Sequence, residues 1–164
     1  GTLPYVITVG PMTDSYTPDD PSDDALASFS SVGPSAEGFV KPELVAPGGH
    51  LVAPMWKDSR IPAEHPEFYN GDSYYFTMSG TSQSAAVVSG VAALLLQADP
   101  SLTPDDVKCR LMATARPAVD AQGGPAYWLF QQGAGITPGR VQHGSAHSSS
   151  CPVSGRVGFF PQAG

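Results

Sequence analysis

The sequence has few charged residues, only two cysteines and no long uninterrupted apolar run. Charged side chains make up 14% of the 164 residues, against about 25% in an ordinary soluble domain. The formal net charge of −7 argues against a nucleic-acid partner, because phosphate binding needs a basic surface. No stretch reaches the roughly 18 uninterrupted apolar residues of a spanning helix, so no membrane partner is expected. A hydrophobic content of 41% excludes a disordered acidic tail.

The two cysteines, Cys109 and Cys151, set few constraints. They lack the Cys/His spacing of a zinc site, and two cysteines do not establish a disulfide framework. Cys109 falls within a predicted helix. A small buried hydrophobic side chain is the favoured interpretation there, and a disulfide to Cys151 is the alternative.

Carboxylates are absent from the last 44 residues, although fifteen acidic and six basic residues precede them. Residues 13–24 contain five aspartates. Clustered carboxylates suit Ca²⁺, but a solvated acidic loop is the favoured interpretation. The break in composition predicts two segments, residues 1–136 and a poorly ordered tail rich in Gly, Ser and Pro over residues 137–164.

Glycine and proline are abundant, with 18 and 17 copies. They predict many turns and argue against a helical bundle. The short apolar runs that they bound predict strands. The predicted strands cover residues 5–9, 26–32, 40–45, 51–53 and 74–78. The polar residues between the last two runs predict an irregular loop.

Two helices are predicted. Residues 82–98 contain no proline and a single glycine, Gly90, and they are apolar around nearly the whole circumference. That pattern is typical of a central, buried helix. The second helix follows Thr103 as its N-cap, has Pro104 at its first position and ends before Pro117.

A predicted strand, the tripeptide Gly80-Thr81-Ser82 and the first helix follow one another directly. A serine at a helix N-terminus lies where backbone N–H groups are unpaired and where the helix dipole favours negative charge. These conditions stabilise the oxyanion that forms when a hydroxyl attacks a carbonyl. From the local pattern alone, a simple capping serine is the alternative.

Residues 80–95 resemble the nucleophile segment of the subtilisin-like (subtilase) serine proteases. The family pattern is Gly-Thr-Ser, then small residues and an apolar helix with a glycine eight residues after the serine, where this chain has Gly90. Three further segments match the family in the same order. They are residues 6–10, residues 27–34 with Phe-Ser-Ser-Val-Gly, and residues 41–48 with Lys-Pro-Glu-Leu-Val-Ala-Pro-Gly.

The resemblance implies an α/β fold, part of a subtilisin-like three-layer structure with a parallel sheet, here without its N-terminal strands and helices. It implies that Ser82 is the nucleophile of peptide-bond hydrolysis by acyl transfer. It further implies that the backbone N–H of Ser82 donates to the oxyanion and that Thr81 supports the same site. An extracellular, secreted protein is expected from the family, although no signal peptide is visible near Gly1.

The family's other catalytic motifs are absent from these 164 residues. Nothing matches Asp-Ser/Thr-Gly or His-Gly-Thr-His, and the oxyanion asparagine belongs upstream. The four histidines lie in predicted loops or in the tail and are expected to be surface residues: His50, His65, His143 and His147. A serine hydroxyl without a base is a weak nucleophile. The chain alone is therefore expected to be inactive and prone to aggregate, with an exposed sheet edge and an uncovered helix.

Two function classes remain open. The first is a serine endopeptidase whose catalytic Asp, His and Asn lie upstream or on a separate chain, with a polypeptide substrate. The second is a non-catalytic fragment or pseudo-protease that acts as a binding or structural module. An α/β-hydrolase is set aside, because that class needs Gly-X-Ser-X-Gly and position 84 is serine. No cofactor is expected, and Ca²⁺ in the acidic segment is the alternative.

Overall fold

The computed structural model describes residues 3–13, 16–17, 23–71, 74–120 and 122–137. The elements of the first part are β1 (Val9–Thr13), β2 (Ala25–Leu26), β3 (Leu44–Pro47), β4 (Leu51–Pro54) and α1 (Arg60–Glu64). A 3₁₀ turn (Pro66–Phe68), β5 (Tyr69–Asn70), β6 (Tyr75–Met78), α2 (Thr81–Ala98), α3 (Pro104–Thr114) and α4 (Leu129–Gln132) follow. The tail predicted to be poorly ordered lies outside the described residues beyond position 137.

The first sheet has the order β2-β1-β3. β1 runs parallel to β3, with Val9 opposite Leu44, and antiparallel to β2, with Met12 opposite Leu26. The strand predicted for residues 5–9 is thus wrong in its bounds, because it begins at Val9 and continues through the Gly-Pro pair that was expected to end it. Pairing with a distant strand overrides the local turn signal.

The strands predicted for residues 26–32 and 40–45 are also wrong in their bounds. Residues 26–32 contribute only the end of β2, and residues 40–45 contribute only the start of β3. In contrast, β4 and β6 lie where apolar runs predicted strands. The two pair antiparallel in a second sheet of order β4-β6-β5.

The segment between β4 and β6 is not the irregular loop predicted from its polar composition. It forms α1, the 3₁₀ turn and β5. Its aromatic residues explain the order, since the rings of Phe68 and Tyr69 meet the buried Phe76 edge-on at centroid distances of 6.1 and 5.1 Å. These contacts pack the segment against β6.

Both predicted helices are confirmed. α3 begins with a capping box, in which the Asp106 N–H donates to the Thr103 hydroxyl over 3.2 Å and the Thr103 N–H donates to the Asp106 carboxylate over 2.9 Å. The core lies where α2 and α3 pack on β3. Its buried residues are Leu44, Ala46, Val88, Val107 and Leu111.

α2 is largely uncovered, so its predicted burial is wrong. Within it only Ser84 and Val88 are buried, and Leu94 is 52% exposed. The helix packs on the first sheet along one side and leaves the remaining apolar side open. By length and composition alone it would also be apolar enough to cross a membrane, a criterion that core helices of soluble proteins meet as well.

Cys109 lies in α3 and is half-buried. It is disulfide-bonded, so its interpretation as a small buried hydrophobic residue is wrong. Cys151 lies outside the described residues.

Candidate active site

Ser82 is the second residue of α2 and is exposed, as is Thr81 before it. The helical hydrogen bonds start one residue later, where the N–H groups of Gln83 and Ser84 donate to the Gly80 carbonyl over 3.2 and 3.4 Å. Within the described part of the chain, the N–H groups of Thr81 and Ser82 have no acceptor. Two unpaired donors therefore lie beside the Ser82 hydroxyl at the positive end of an 18-residue helix.

The start of α2 is fixed to the carboxyl ends of β1 and β3. The Gly48 carbonyl, directly after β3, accepts the Gly80 N–H over 2.8 Å. The N–H groups of Gly48 and Gly49 in turn donate to the carbonyl of Met12 in β1, over 2.8 and 2.9 Å. The carboxyl ends of parallel strands are where α/β proteins generally bind ligands. The fold therefore places Ser82 at that edge of the sheet.

Gly48 is required for this contact. A β-carbon at Gly48 would lie 2.0 Å from the Ser84 hydroxyl oxygen and 2.9 Å from the Gly80 carbonyl oxygen. The Ser84 hydroxyl is fully buried and has no hydrogen-bond partner in the part of the chain that the structure describes. Sequence reasoning found the Ala-Pro-Gly turn but not its contact with the helix, because the partner lies 36 residues away.

The described histidines do not hydrogen-bond to Ser82. His65 is exposed, and its Nδ1 lies 3.2 Å from the Glu67 carboxylate. His50 is half-buried rather than a surface residue: its ring stacks on Tyr16 with a centroid distance of 3.8 Å. His143 and His147 lie outside the described residues.

The acidic segment 13–24 is only partly described. Its Asp23 carboxylate accepts a hydrogen bond from the Thr17 hydroxyl over 2.5 Å. Over the described ranges, no three His, Cys, Asp or Glu residues are placed to hold a metal ion. The solvated acidic loop stays the favoured prediction and the calcium site its untested alternative, since Asp14, Asp19 and Asp20 lie outside the described residues.

A buried charge cluster lies on the first sheet and α3. The Glu43 carboxylate accepts hydrogen bonds from Lys41, from Lys108 over 2.8 Å and from the Thr8 N–H over 2.8 Å. Both lysines also donate to the carbonyl of Val6, over 3.3 and 3.2 Å. We call Lys41, Glu43 and Lys108 the charge clasp, since they hold residues 3–8 against β3 and α3.

The clasp lowers the pKa of Glu43. Burial alone would raise the pKa, but the hydrogen bonds from Lys108, Lys41 and the Thr8 N–H outweigh it and favour the carboxylate. A local pattern does indicate this cluster. Lys41 and Glu43 alternate at the start of an apolar strand, and such charges are almost never buried unless paired.

Residues 1–135 match the sequence model of the Subtilase family. The chain belongs to the subtilase family. The family resemblance and the partial α/β subtilisin-like fold inferred from the sequence are both confirmed.

Two relatives illustrate the sequence likeness. Serine protease AprX of Bacillus subtilis (strain 168) is 44% identical over 108 residues, which cover 66% of this chain and 24% of that protein. Subtilisin-like protease SBT1.5 of Arabidopsis thaliana is 36% identical over 124 residues, which cover 74% of this chain and 15% of that protein. The chain thus spans about a quarter or less of these subtilases.

Solved subtilase structures agree with the fold. Fervidolysin from Fervidobacterium pennivorans, a keratinolytic enzyme related to subtilisin, has a TM-score of 0.59 at 26% identity, over 84% of this chain and 19% of that one. Sphericase has a TM-score of 0.59 at 25% identity, over 87% of this chain and 42% of its own.

Proposed function

We propose that this chain is the nucleophile-bearing part of a subtilase serine endopeptidase. The observation that supports it best is the exposed hydroxyl of Ser82 beside two unpaired backbone N–H groups. The hydroxyl oxygen adds to the scissile carbonyl while a histidine base takes its proton. The oxyanion is held by the Ser82 N–H with Thr81 beside it. Collapse of the intermediate transfers the proton to the leaving amine, and water then hydrolyses the acyl-enzyme.

The proposal places the catalytic Asp and His and the oxyanion Asn in an upstream part of the protein or on a separate chain. The open edge of β1 supports it. β2 pairs only with Met12 and Thr13, and the Ala27 N–H donates to the Pro11 carbonyl, so among the described residues no strand flanks Val9 on that side. An additional strand there would continue the sheet.

The uncovered side of α2 is a second open surface for the same upstream part. Its small exposed residues let another backbone approach closely: Ala85, Ala86, Ser89, Gly90 and Ala93. Parallel sheets occur almost only where helices cover both faces. The upstream part is therefore expected to extend the sheet at Val9 and to pack on α2.

Two further parts of the proposal concern extent and location. We assign residues 1–136 to the catalytic domain and residues 137–164 to a divergent tail, which the end of the family match at residue 135 supports. A secreted protein is proposed from family likeness.

Complementation tests the proposal. Residues 1–164 alone are expected to show no hydrolysis of a casein or peptide substrate, because no base activates Ser82. Co-expression with the part of AprX that precedes its matching region is expected to give a complex that hydrolyses the substrate and reacts with a fluorophosphonate. The AprX part alone is the control. If residues 1–164 alone hydrolyse the substrate and Ser82→Ala does not, the proposal that the catalytic base lies in an upstream part would be contradicted. A complex without hydrolysis or labelling would favour the non-catalytic module.

Gly90→Ala is expected to stabilise the isolated chain but to weaken its association with the upstream part. A β-carbon at Gly90 meets no atom within 4 Å, so the substitution is expected to stabilise the isolated chain by about 1 kcal/mol through helix propensity. The same methyl group would lie in the interface proposed for α2 and is expected to weaken association with the upstream part. Thermal melts and titration of the AprX part measure the two effects. Ala113→Gly, on the exposed side of α3, is the control for helix propensity; unchanged association in Gly90→Ala would argue against this interface.

A further inference from the structure

His50 combines two unfavourable features next to the candidate active site. Its backbone is left-handed, with φ of 54°, a conformation that few residues other than glycine adopt. Its ring nitrogen Nδ1 is buried and has no hydrogen-bond partner in the described part of the chain. Unpaired buried groups and strained backbone that persist in a fold are concentrated at functional sites.

His50 is joined directly to the segment that carries Ser82. Its N–H donates to the Ser79 hydroxyl over 2.8 Å. Because three extended residues span at most about 11 Å, the Cα atoms of Ser79 and Ser82 lie within that distance. The His50 backbone therefore lies one hydrogen bond away from the segment that leads into Ser82.

The ring of Tyr16 lies on that of His50. The two planes are inclined by 23° at a centroid distance of 3.8 Å, so the imidazole covers one face of the phenol ring. Tyr16 is nonetheless 70% exposed. The stack therefore presents an accessible aromatic surface that is supported from behind.

The sequence around the stack favours a cation. Residues 1–40 contain six acidic and no basic residues, and the first lysine, Lys41, is buried in the charge clasp. The face of an aromatic ring attracts cations, and a planar guanidinium stacks on it better than an ammonium does. We propose that Tyr16, supported by His50, binds an arginine side chain of the polypeptide substrate. The inference rests on the proposed function of Ser82.

The test uses the complex of this chain with the AprX part. A set of peptides is used in which a single arginine occupies, in turn, each of the four positions on either side of the cleaved bond. Each peptide is compared with its citrulline analogue, which keeps the planar group but lacks the charge. At one position, arginine is expected to be preferred about two- to fivefold in kcat/KM, through KM, which is the usual size of an exposed cation–π contact.

Variants connect this preference to the stack. Tyr16→Leu is expected to reduce the arginine-to-citrulline ratio to about one, whereas Tyr16→Phe keeps it. His50→Asn removes the supporting ring and is expected to lower the arginine-to-citrulline ratio. Asparagine is chosen because it also tolerates the left-handed backbone. Tyr74→Leu, at a tyrosine that is 73% exposed, is the matched control and keeps the ratio. Thermal melts check that each variant folds.

The outcomes are distinguishable. The subsite would be overturned if the complex is labelled by the fluorophosphonate but Tyr16→Leu and the unsubstituted chain have the same arginine-to-citrulline ratio at every position. The proposed function would then stay intact. Citrulline bound as well as arginine would also overturn it. If the unsubstituted complex is not labelled, both the proposed function and the subsite that rests on it would be contradicted.

Discussion

Ser82→Ala is expected to lower kcat for peptide hydrolysis by the complemented chain about a millionfold, the size found when the nucleophile of subtilisin is removed. The substitution deletes the oxygen that forms the acyl-enzyme, and the remaining donors stabilise only attack by water. The fold is expected to stay intact, since Ser82 is exposed and its hydroxyl makes no hydrogen bond within the described residues. The melting temperature should therefore be unchanged.

Rates with a chromogenic peptide and labelling by a fluorophosphonate measure this effect. Ser101→Ala is the control: Ser101 is also exposed, and its hydroxyl donates to Asp99 over 2.6 Å, after the end of α2. This variant is expected to keep full activity and labelling. Hydrolysis that survives Ser82→Ala at an appreciable rate would exclude Ser82 as the nucleophile.

Local signals were sufficient for the helices. Thr103 and Pro104 marked the start of α3, because capping depends on neighbouring residues. The apolar run without proline predicted α2 from residue 82, one residue after its start at Thr81, and the N-cap is Gly80 instead of Ser82. The placement of Ser82 at a helix N-terminus followed from the same signals. Its assignment as the nucleophile came from family resemblance and stays a prediction.

Contacts between distant residues were missed. The bounds of β1 depend on pairing with β3, about 35 residues later. The stack of Tyr16 on His50 and the contact of Gly48 with Ser84 likewise join residues that are 34 and 36 positions apart. No local pattern encodes such contacts, since they arise from the topology of the parallel sheet.

The burial of α2 was mispredicted for another reason. Its apolar circumference predicts burial on all sides, but within the described residues the helix is covered along one side only. Leu94 and Leu96 are 52% and 41% exposed although the helix carries no charged residue. The discrepancy between pattern and burial is itself consistent with an upstream part that packs there.

Glu43→Gln is expected to lower the free energy of unfolding of the complemented chain by about 3–5 kcal/mol at pH 7, the usual effect of removing one partner from a buried ion pair. The substitution keeps the size of the side chain. It leaves the ammonium groups of Lys41 and Lys108 close together without their shared carboxylate; their side chains are only 8% and 14% exposed. Segment 3–8, which leads into β1, would be held less firmly, since the two lysines that donate to its carbonyls would repel each other.

Urea unfolding at pH 7 measures the difference. Glu64→Gln is the matched control, because Glu64 pairs with Arg60 over 2.7 Å at the surface, with side chains 51% and 86% exposed. Exposed pairs contribute about 0–1 kcal/mol, so this variant should unfold almost as the unsubstituted chain does. Equal effects of the two substitutions would show that the charge clasp contributes no more than a surface pair.

The pH dependence of the same difference identifies its electrostatic origin. Since the clasp lowers the pKa of Glu43 below its ordinary value, which is about 4.3, the unfolded chain binds this proton first as the pH falls. The stabilisation is therefore complete above the unfolded pKa and is lost as the pH falls through the folded pKa. Protonated Glu43 is neutral, as glutamine is, so the gap in unfolding free energy between the unsubstituted chain and Glu43→Gln should narrow as the pH falls below the unfolded pKa and through the lowered folded pKa. A gap that stays constant over this range would indicate that the substitution acts through packing, and the clasp would then hold segment 3–8 by shape instead of charge.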